Sequence, residues 1–234
     1  AGETVVSYRS RKVCRVQTPK GTIYVKTIWG LTDAGMTGKD PMSFLKWVFR
    51  PSRALAAWRI SQRMLAAGFH CAKPVLAVRR RSPLGYPTDV FISEEVSAPV
   101  LSDVLPSLLP DQQLDLARLL GRKLQKFHAA GFIHGYCILR NLCLNQENEL
   151  VFLDNDRSKV RGITAVFSRS IRNLAQIGYS ARRCGAAPEF PHVLFEEYAS
   201  QAGWSPMRRQ KSIGRLCTGI EKRLQNRLKR SAGR

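Results

Sequence analysis

Two short apolar runs that flank a polar turn constrain the fold more than any other part of this chain. The runs FIHGYCILRNLCL and LVFLDND enclose the turn NQENE and follow a long helical pattern. Such an arrangement predicts two strands joined by a polar connection. Asn141 comes seven residues after His134, and Asp154 comes 13 residues after Asn141. The sequence therefore predicts a loop and hairpin with polar side chains at both ends.

The residue types at these positions suit phosphoryl transfer. Transfer from ATP needs Mg²⁺ held by hard oxygen ligands, a lysine at the phosphates and a base near the acceptor hydroxyl. Asn141 and Asp154 offer an amide and a carboxylate oxygen for the metal, and Lys26 in the strand pattern TIYVKTIW is a candidate for the phosphates. Each also has a structural alternative, because asparagine is a common turn residue and lysine often faces solvent on a strand.

The first hundred residues have a strand-rich pattern. KVCRVQ and TIYVKTIW predict a hairpin over residues 12–29, and FHCAKPVLAVRRR and DVFISEEV predict two further strands. Residues 31–51 predict a loop and a short helix. Pro51 and Ser52 predict the start of a helix that ends near Gly68. The residues expected on its buried side are Leu55, Trp58, Ile60, Met64 and Leu65.

From Pro99 the pattern changes to helices. A helix is predicted to open at Pro110 and Asp111 and to close at Gly131. Its expected apolar stripe is Leu116, Leu120, Leu124 and Phe127. SRSIRNLAQIG and FPHVLFEEYAS predict two more helices. We therefore expect an α+β protein, with a sheet-rich N-lobe over residues 1–96, a helical C-lobe over 97–207, and a basic C-terminal helix over 208–234.

The C-terminal pattern QKSIGRLCTGIEKRLQNRLKR combines an apolar stripe with positive charge. The stripe consists of Ile213, Leu216, Cys217, Ile220, Leu224 and Leu228. The cations expected mostly on the opposite side are Arg215, Lys222, Lys229 and Arg230. Such a helix either packs on the helical region with a solvated basic face or lies on an anionic membrane.

The charge balance indicates a polyanionic partner. The chain has 38 Lys plus Arg against 17 Asp plus Glu, a formal net charge of +21. This excess attracts nucleic acid, an anionic membrane face or phosphorylated small molecules. No RNA-recognition, zinc-finger or helix-turn-helix pattern accompanies the charge, which disfavours nucleic acid. The 44% hydrophobic content excludes wholesale disorder.

Cysteine spacing and hydropathy indicate the cellular compartment in which the protein is expected. The six cysteines form no CxxC pair, so we expect reduced, mostly buried thiols rather than a zinc site or a disulfide framework. No apolar run approaches the roughly 18 residues that a membrane-spanning helix needs. The opening residues AGETVVSYRSRK lack the apolar core of a signal peptide. The expectation is a cytoplasmic protein.

Taken together, the motifs resemble those of the lipopolysaccharide core kinases of the Kdo/WaaP type. HGYCILRN is similar to the family's catalytic loop, FLDNDRSKVR to its metal-binding strand end, YVKTIW to its lysine strand and FISEEV to its hinge strand. SFLKWVFRPSRALAAWRISQRMLAAGFHCAKP resembles the segment leading into its N-lobe helix, and SRSIRNLAQIG resembles the helix after its metal strand. The resemblance covers about residues 5–180. It implies a two-lobed, protein-kinase-like fold that phosphorylates inner-core sugars with ATP and Mg²⁺.

The resemblance also implies roles for individual residues. Lys26 is expected to contact the nucleotide phosphates, and Glu94 in the hinge strand is expected to bind the nucleotide. Asn141 and Asp154 are expected to hold Mg²⁺. His134 is expected to support the catalytic loop rather than to react. The absence of an APE-like element after Asp154 makes a peptide substrate less expected.

Tyr136 is the first departure from the family pattern. It stands where the catalytic loop of a kinase has an aspartate two residues after its histidine. Loss of a general base typically costs about 10²–10⁴-fold in rate. The phosphoryl transition state is loose and needs little early proton removal, so activity need not vanish. Asp156 is the provisional substitute base, which makes Asp156, His134 and Tyr136 the candidate catalytic set.

Ala57 is the second departure. Kinases orient the phosphate-binding lysine with a glutamate from the N-lobe helix, and the matching position here is Ala57. Residues 42–87 contain neither Asp nor Glu. Two possibilities for Lys26 remain open: another acid such as Asp33 or Asp40 reaches it, or it awaits the phosphates of the nucleotide.

Three hypotheses about function follow. The first is ATP-dependent phosphotransfer to a sugar hydroxyl of the lipopolysaccharide inner core or a similar glycolipid, at the inner face of the cytoplasmic membrane. Its expected partners are the anionic glycolipid acceptor and the anionic membrane surface. The second is a pseudokinase, a membrane-associated binding or regulatory protein, which Tyr136 and Ala57 favour. The third is a basic RNA- or DNA-binding protein. Nothing in the sequence indicates an oligomeric state.

Overall fold

A computed structural model describes residues 2–8, 11–29, 49–83 and 85–232. The chain divides into two compact units. The N-terminal unit comprises residues 1–97 and 155–157, and the C-terminal unit comprises residues 98–154 and 158–234. Most of the predicted loop and short helix over 31–51 lies outside the described residues, as do Asp33 and Asp40.

The N-terminal unit contains a five-stranded antiparallel sheet. In chain order its strands are β1 (Glu3–Tyr8), β2 (Arg11–Thr18), β3 (Gly21–Trp29), β5 (Pro74–Arg81) and β6 (Pro87–Glu94), and the two-residue strand β4 is His70–Cys71. The spatial order in the sheet is β1-β2-β3-β6-β5. The predicted hairpin is confirmed as β2 and β3, which pair from Arg11 with Ile28 to Thr18 with Gly21.

Helix α1 (Arg53–Ala66) also belongs to the N-terminal unit. The predicted start is confirmed, because the Ser52 hydroxyl caps the helix by accepting a hydrogen bond from the Leu55 amide at 3.2 Å. The predicted buried side is only partly correct, since Leu55 and Leu65 are exposed. The residues that are buried are Ala54, Ala57, Ile60, Ser61 and Met64. Small residues let the helix lie close to its neighbours, so the buried stripe does not follow the largest apolar side chains.

The C-terminal unit is mainly helical. Its helices are α2 (Leu101–Val104), α3 (Pro110–Ala129), α4 (Ile163–Arg183), α5 (Phe190–Gln201) and α6 (Pro206–Ala232). Its short strands are β7 (Phe132–Ile133), β8 (Leu142–Leu144), β9 (Leu150–Phe152) and β10 (Lys159–Val160). Strand β7 pairs with β10, and β8 pairs with β9. The predicted change from strands to helices after residue 99 is confirmed.

Helix α3 forms the centre of this unit. All four residues of its predicted stripe, from Leu116 to Phe127, are buried. Gly121 lies where α3 meets α5, and a Cβ atom there would come within 2.8 Å of the Leu194 carbonyl oxygen. The close approach of the two helices therefore requires a glycine at this position.

Helix α6 packs one face against α4. Leu216 and Ile220 of the predicted stripe are buried, but Cys217 and Leu228 are exposed. Ser212, which the sequence pattern did not include, is buried instead. The packing face is set by small residues of α4, such as Gly178, against which the Ile220 side chain lies.

The cysteines differ in their exposure. All six are free thiols, as expected. The expectation of mostly buried thiols is only partly correct, since Cys71, Cys137 and Cys143 are buried, Cys14 and Cys184 are partly buried and Cys217 is exposed. Burial raises the pKa of the Cys71 and Cys143 thiols to about 11, so these two remain protonated at neutral pH.

No helix within the described part of the chain has the length and apolar content to cross a membrane.

Candidate functional site

The hairpin of β8 and β9 brings the backbone of Asn141 beside the residue that precedes Asp154. Leu142 pairs with Phe152, and Leu144 pairs with Leu150. The Leu153 amide then donates to the Asn141 carbonyl oxygen at 2.9 Å. Two three-residue strands and the turn between them thus explain the 13-residue spacing between the two predicted metal ligands.

His134 links the loop to the same strand end. Its Nε2 atom lies 2.8 Å from the Leu153 carbonyl oxygen, and its Nδ1 atom lies 3.2 Å from the Tyr136 amide nitrogen. A carbonyl only accepts and an amide N–H only donates, so the imidazole is neutral with its proton on Nε2. The side chain is buried and both ring nitrogens bond to backbone. This geometry is that of a supporting histidine.

Asp154 has an unusual backbone conformation. Its φ angle is 55°, in the left-handed region that non-glycine residues seldom adopt. The amide and the carbonyl of the preceding Leu153 are both held, by Asn141 and His134 respectively. These bonds support the strained turn, which leaves Asp154 exposed at the end of the strand.

Asn141 is buried, and its amide group is oriented by a neighbour. Its Nδ2 atom donates to the Tyr136 carbonyl oxygen at 2.9 Å. This bond assigns the amide nitrogen, and the side-chain oxygen remains available as an acceptor or a metal ligand.

An amide and a carboxylate oxygen form a hard donor set that fits Mg²⁺. No group of three or more His, Cys, Asp or Glu side chains that would hold a metal occurs among the residues described. Mg²⁺ typically takes one or two protein ligands and completes its octahedron with water and substrate phosphates. An amide and a carboxylate oxygen in this loop and strand end therefore suit Mg²⁺.

Three buried polar side chains of helix α4 bond the backbone of the loop of residues 134–141. Sequence reasoning missed them. Asn173 bonds both backbone groups of His134, accepting from its amide at 3.2 Å and donating to its carbonyl at 2.9 Å. Gln176 accepts from the Cys137 amide, and Ser180 accepts from the Leu139 amide, each at 3.2 Å. Their spacing of three and four residues places them on one face of the helix. Polar residues that recur at this spacing on an otherwise apolar face are the sequence pattern that could have identified them.

His128 of α3 completes this network. The Asn173 oxygen accepts from His128 Nε2 at 3.1 Å, so His128 carries its proton there and its Nδ1 accepts from the Tyr198 hydroxyl at 3.1 Å. Complete burial lowers the pKa of His128 to about 4, although the bond to Asn173 acts in the opposite direction. The histidine is therefore neutral at physiological pH.

Tyr136, at the position of the missing catalytic aspartate, is 44% exposed. Cationic groups lie in its surroundings. Burial and the neighbouring Arg172 lower the pKa of Arg223, while Tyr136 and Tyr179 raise it. Arg223 thus lies close enough to Tyr136 for the two side chains to interact electrostatically, and Arg172 acts on the same guanidinium group.

Lys26 lies in the N-terminal unit, in the middle strand β3, where it pairs with Phe91 of β6. Its Nζ atom is 3.4 Å from Asp156 Oδ2. The Arg53 Nε atom is 3.2 Å from the same oxygen. Asp156, from the turn after β9, is therefore an acid that pairs with Lys26. The predicted base and the predicted phosphate lysine are in contact with each other.

Asp89 fixes the start of helix α1 in the same unit. Its buried carboxylate accepts from the Ser52 hydroxyl at 2.9 Å and from the Arg53 amide at 2.7 Å. Arg79 donates to both carboxylate oxygens, at 2.8 and 3.2 Å. Burial by itself raises the pKa of Asp89, but these hydrogen bonds outweigh it and hold the pKa below its ordinary value. Sequence reasoning did not single out Asp89.

Glu94 ends strand β6, where it pairs with Ile23. Its side chain is half exposed and lies 3.1 Å from the ammonium of Lys73. The structure thus separates the predicted residues into two sets, with Lys26, Glu94 and Asp156 in the N-terminal unit and His134, Tyr136, Asn141 and Asp154 in the C-terminal unit.

An antiparallel five-stranded sheet followed by a helical region with this loop and strand end defines a protein of the kinase-like α+β class. Comparison with known proteins gives the family. The profile of the lipopolysaccharide kinase (Kdo/WaaP) family matches residues 2–205, so the chain belongs to that family. This confirms the resemblance seen in the sequence.

One solved structure similar to this chain is that of WaaP in complex with acyl carrier protein. The two share 17% sequence identity with a TM-score of 0.66, over 97% of this chain and 88% of the other. At this identity the likeness establishes the fold, and it confirms the predicted α+β, protein-kinase-like class. No curated protein matches the sequence.

Proposed function

We propose that the protein transfers phosphate from ATP to a sugar hydroxyl of the lipopolysaccharide inner core or a similar glycolipid. Membership of the lipopolysaccharide kinase family supports a kinase acting on the lipopolysaccharide core. The observation that carries the proposal is the strained strand end at Asp154, supported on both sides by Asn141 and His134. Residues that the surrounding structure holds in such a conformation cluster at active sites.

Individual residues have distinct roles in this proposal. Asn141 and Asp154 would hold Mg²⁺, which when bound neutralises charge on the phosphates of the nucleotide. Lys26 would contact the phosphates, and Glu94 would bind the nucleotide at the end of β6. His134 keeps Leu153 in place and thereby fixes the direction of Asp154.

The cationic surroundings of Tyr136 suit the expected acceptor. Inner-core sugars carry carboxylates and phosphates, so a positively charged surface raises their local concentration. Arg223 interacts electrostatically with Tyr136 and lies near Arg172, in a chain of net charge +21. The positive surface would thus orient an anionic sugar beside the loop.

Transfer of labelled γ-phosphate from ATP to purified core oligosaccharide tests the proposal. The native protein is expected to label the acceptor, and Asp154→Asn is expected to lower the rate by at least about 100-fold because a metal ligand supplies several kcal/mol of transition-state stabilisation. Asp111→Asn, an exposed aspartate at the start of α3, is the matched control and should retain native activity. Absence of transfer by the native protein to any core acceptor would contradict the proposal.

Tyr136 favours a second candidate, a pseudokinase that binds rather than phosphorylates. Its exposed side chain occupies the position at which a kinase loop presents its proton acceptor. This alternative predicts that ATP with Mg²⁺ raises the melting temperature of the native protein without any phosphate transfer. Transfer that persists in Tyr136→Phe would exclude it and would show that the phenol is not needed for the reaction.

The exposed cations of helix α6 support action at the inner face of the cytoplasmic membrane. They include Lys211, Arg215, Lys222, Arg227 and Lys229. Each basic residue near an anionic surface contributes about 1 kcal/mol, screened by salt. Co-sedimentation with phosphatidylglycerol vesicles should therefore exceed that with phosphatidylcholine vesicles and decline at high salt. Preference for duplex or single-stranded nucleic acid in competition would favour the third hypothesis instead.

A further inference from the structure

We propose that Asp156 is a positioning residue that holds the ammonium group of Lys26 for the phosphates of the nucleotide, and not the proton acceptor of the reaction. The inference rests on the proposed function and refines the roles within that site. Helix α1 has no acidic residue to pair with Lys26. Asp156, in the turn after β9, supplies the negative charge instead.

The burial of the three charged groups supports a fixed arrangement. The side chains of Lys26, Arg53 and Asp156 are 15%, 18% and 9% exposed. An ammonium group largely removed from water needs a counter-charge. Asp156 Oδ2 supplies it, at 3.4 Å from Lys26 Nζ and 3.2 Å from Arg53 Nε. Both cations thus share one carboxylate oxygen, which ties the position of the Lys26 ammonium to that of Asp156.

The carboxylate is itself held through the sheet. Arg53 is the first residue of α1, and its backbone amide donates to buried Asp89 at 2.7 Å. Asp89 is in turn bonded by Arg79 of β5. Arg79 and Asp89 thus fix the backbone of Arg53, and the Arg53 guanidinium group then contacts Asp156. This series of contacts fixes Asp156 relative to β3, as a positioning role requires.

Helix α1 shows where a substitute carboxylate would fit. Arg53, Ala57 and Ser61 are spaced four residues apart and share one helix face. Arg53 contacts Asp156, and the Ser61 hydroxyl accepts from Asn155 Nδ2 at 3.4 Å, so this face lies along the turn of residues 155–157. Ala57 lies between these two contacts and is buried. A carboxylate at position 57 would therefore replace that of Asp156 from the opposite side.

The same contacts argue against a base at Asp156. A general base must direct a lone pair at the hydroxyl it deprotonates. Asp156 Oδ2 is shared by two cations, and both of these cations belong to the same unit as the turn. An oxygen engaged in this way orients charges rather than accepts a substrate proton.

A charge-relocation experiment tests the inference with steady-state phosphate transfer from ATP. Asp156→Asn is expected to lower kcat by about 100-fold, the typical result of misplacing a reacting group. The KM for ATP should change by less than about threefold, because the lost orientation is offset by the gain of one positive charge. Adding Ala57→Glu to this variant should recover at least about tenfold of the lost kcat. Ala57→Gln, of equal size but uncharged, is the matched control and should recover nothing.

Opposite outcomes would overturn the inference. If Asp156 is the base, Asp156→Asn removes the acidic limb of the pH profile of kcat and Ala57→Glu recovers nothing. Recovery by Ala57→Gln as well as by Ala57→Glu would show a packing effect and would equally refute positioning. Circular dichroism melting of each variant identifies any that does not fold.

A second measurement does not depend on activity. The unfolding equilibrium of Lys26→Met, Asp156→Asn and the double variant forms a cycle that reports the coupling of the two side chains. Coupling of at least about fivefold in the equilibrium constant is expected, and its absence would refute the pairing even where position 57 cannot accept a glutamate. Absence of transfer by the native protein alongside clear coupling would instead refute the proposed function, so the two failures are distinguishable.

Discussion

The loop of residues 134–141 and the lysine of strand β3 are held by different kinds of interaction. Neutral, buried side chains of α4 bond the loop through its backbone. Charged groups that retain some exposure hold Lys26, through Asp156 and Arg53. Neutral hydrogen bonds to backbone are insensitive to salt, whereas ion pairs respond to salt and to pH. The first arrangement fixes a shape, and the second positions a charge.

The comparison explains why the loop tolerates Tyr136. Its conformation depends on Asn173, Gln176 and Ser180, which bond backbone atoms and not the side chain at position 136. A change of that side chain therefore leaves the loop in place. In the N-terminal unit, by contrast, the side chain itself is the partner, because the largely buried ammonium of Lys26 needs a counter-charge and Asp156 supplies one.

The largest predicted effect comes from the network of neutral, buried side chains that holds the loop, which consists of His128, Asn173, Gln176 and Ser180. Asn173→Ala removes the partners of both backbone groups of His134 and of His128 Nε2. Each buried group left unsatisfied costs about 1–3 kcal/mol, so we expect a loss of about 4 kcal/mol in the free energy of unfolding. Urea denaturation measures it. Asn226→Ala, on the exposed side of α6, should change the same quantity by less than about 0.5 kcal/mol. Equal effects of the two substitutions would show that the network does not stabilise the fold.

The second prediction concerns the pH dependence of the same network. The pKa of His128 is about 4 in the folded protein and near 6.5 when unfolded. The unfolded chain therefore binds more protons between these values, and stability falls as the pH is lowered from 6.5 toward 4. The full change is about 3 kcal/mol at about 1.4 kcal/mol per pKa unit. Above pH 6.5 this residue contributes no dependence.

Urea denaturation across this pH range measures the effect, with His128→Gln as the comparison variant. The variant should lose the component of the pH dependence that comes from residue 128 and should keep that of the carboxylates. An identical pH profile for the native protein and the variant would contradict the burial of a neutral histidine.

Much of the fold was predictable from sequence because it follows local rules. The stripe from Leu116 to Phe127 repeats at helical spacing, and the Ser52 cap is a local signal of a helix start. The buried face of α1 was predicted in part wrongly because close packing selects small residues such as Ala54 and Ala57 over the larger Leu55. Hydrophobicity alone does not report the shape of the neighbouring surface.

The site was predictable where its residues are close in sequence. The 13-residue spacing of Asn141 and Asp154 follows from a short hairpin, which sequence patterns indicate. Asp156, which pairs with Lys26, lies 130 residues away in the sequence, and no local pattern reports such a contact. Asn173 was overlooked for a different reason. A polar residue on an apolar helix face is interpretable only when the backbone groups that it bonds are known.

The third prediction concerns the buried carboxylate of Asp89 at the start of helix α1. Asp89→Asn removes the charge that Arg79, Ser52 and the Arg53 amide surround. Hydrogen bonds to charged groups contribute about 1.5–3 kcal/mol, and an asparagine retains some of them, so we expect a loss of about 2 kcal/mol. Since the pKa of Asp89 is lowered, its stabilisation is present above its ordinary value of 3.8 and is lost as the pH falls through the folded value.

Urea denaturation at two salt concentrations measures the loss of stability in Asp89→Asn. The effect of Asp89→Asn should persist at high salt, because the carboxylate is buried. Asp115→Asn, which breaks an exposed pair with Arg118, is the matched control and should change stability by less than about 0.5 kcal/mol. An effect of Asp89→Asn no larger than that of the control would mean that the start of α1 does not depend on the buried carboxylate.

The smallest predicted effect on stability is at Glu94. Its pair with Lys73 is exposed at both ends, and such pairs contribute about 0–1 kcal/mol, so Glu94→Gln should leave the melting temperature nearly unchanged. If Glu94 binds the nucleotide through its side chain, the same substitution should weaken ATP binding by up to about tenfold, the equivalent of one hydrogen bond. Titration with ATP and Mg²⁺ measures this, with Lys73→Gln as the control for loss of the ion pair alone. Equal affinities in the native protein and in Glu94→Gln would restrict the role of this strand end to its backbone, because the fold itself would remain intact.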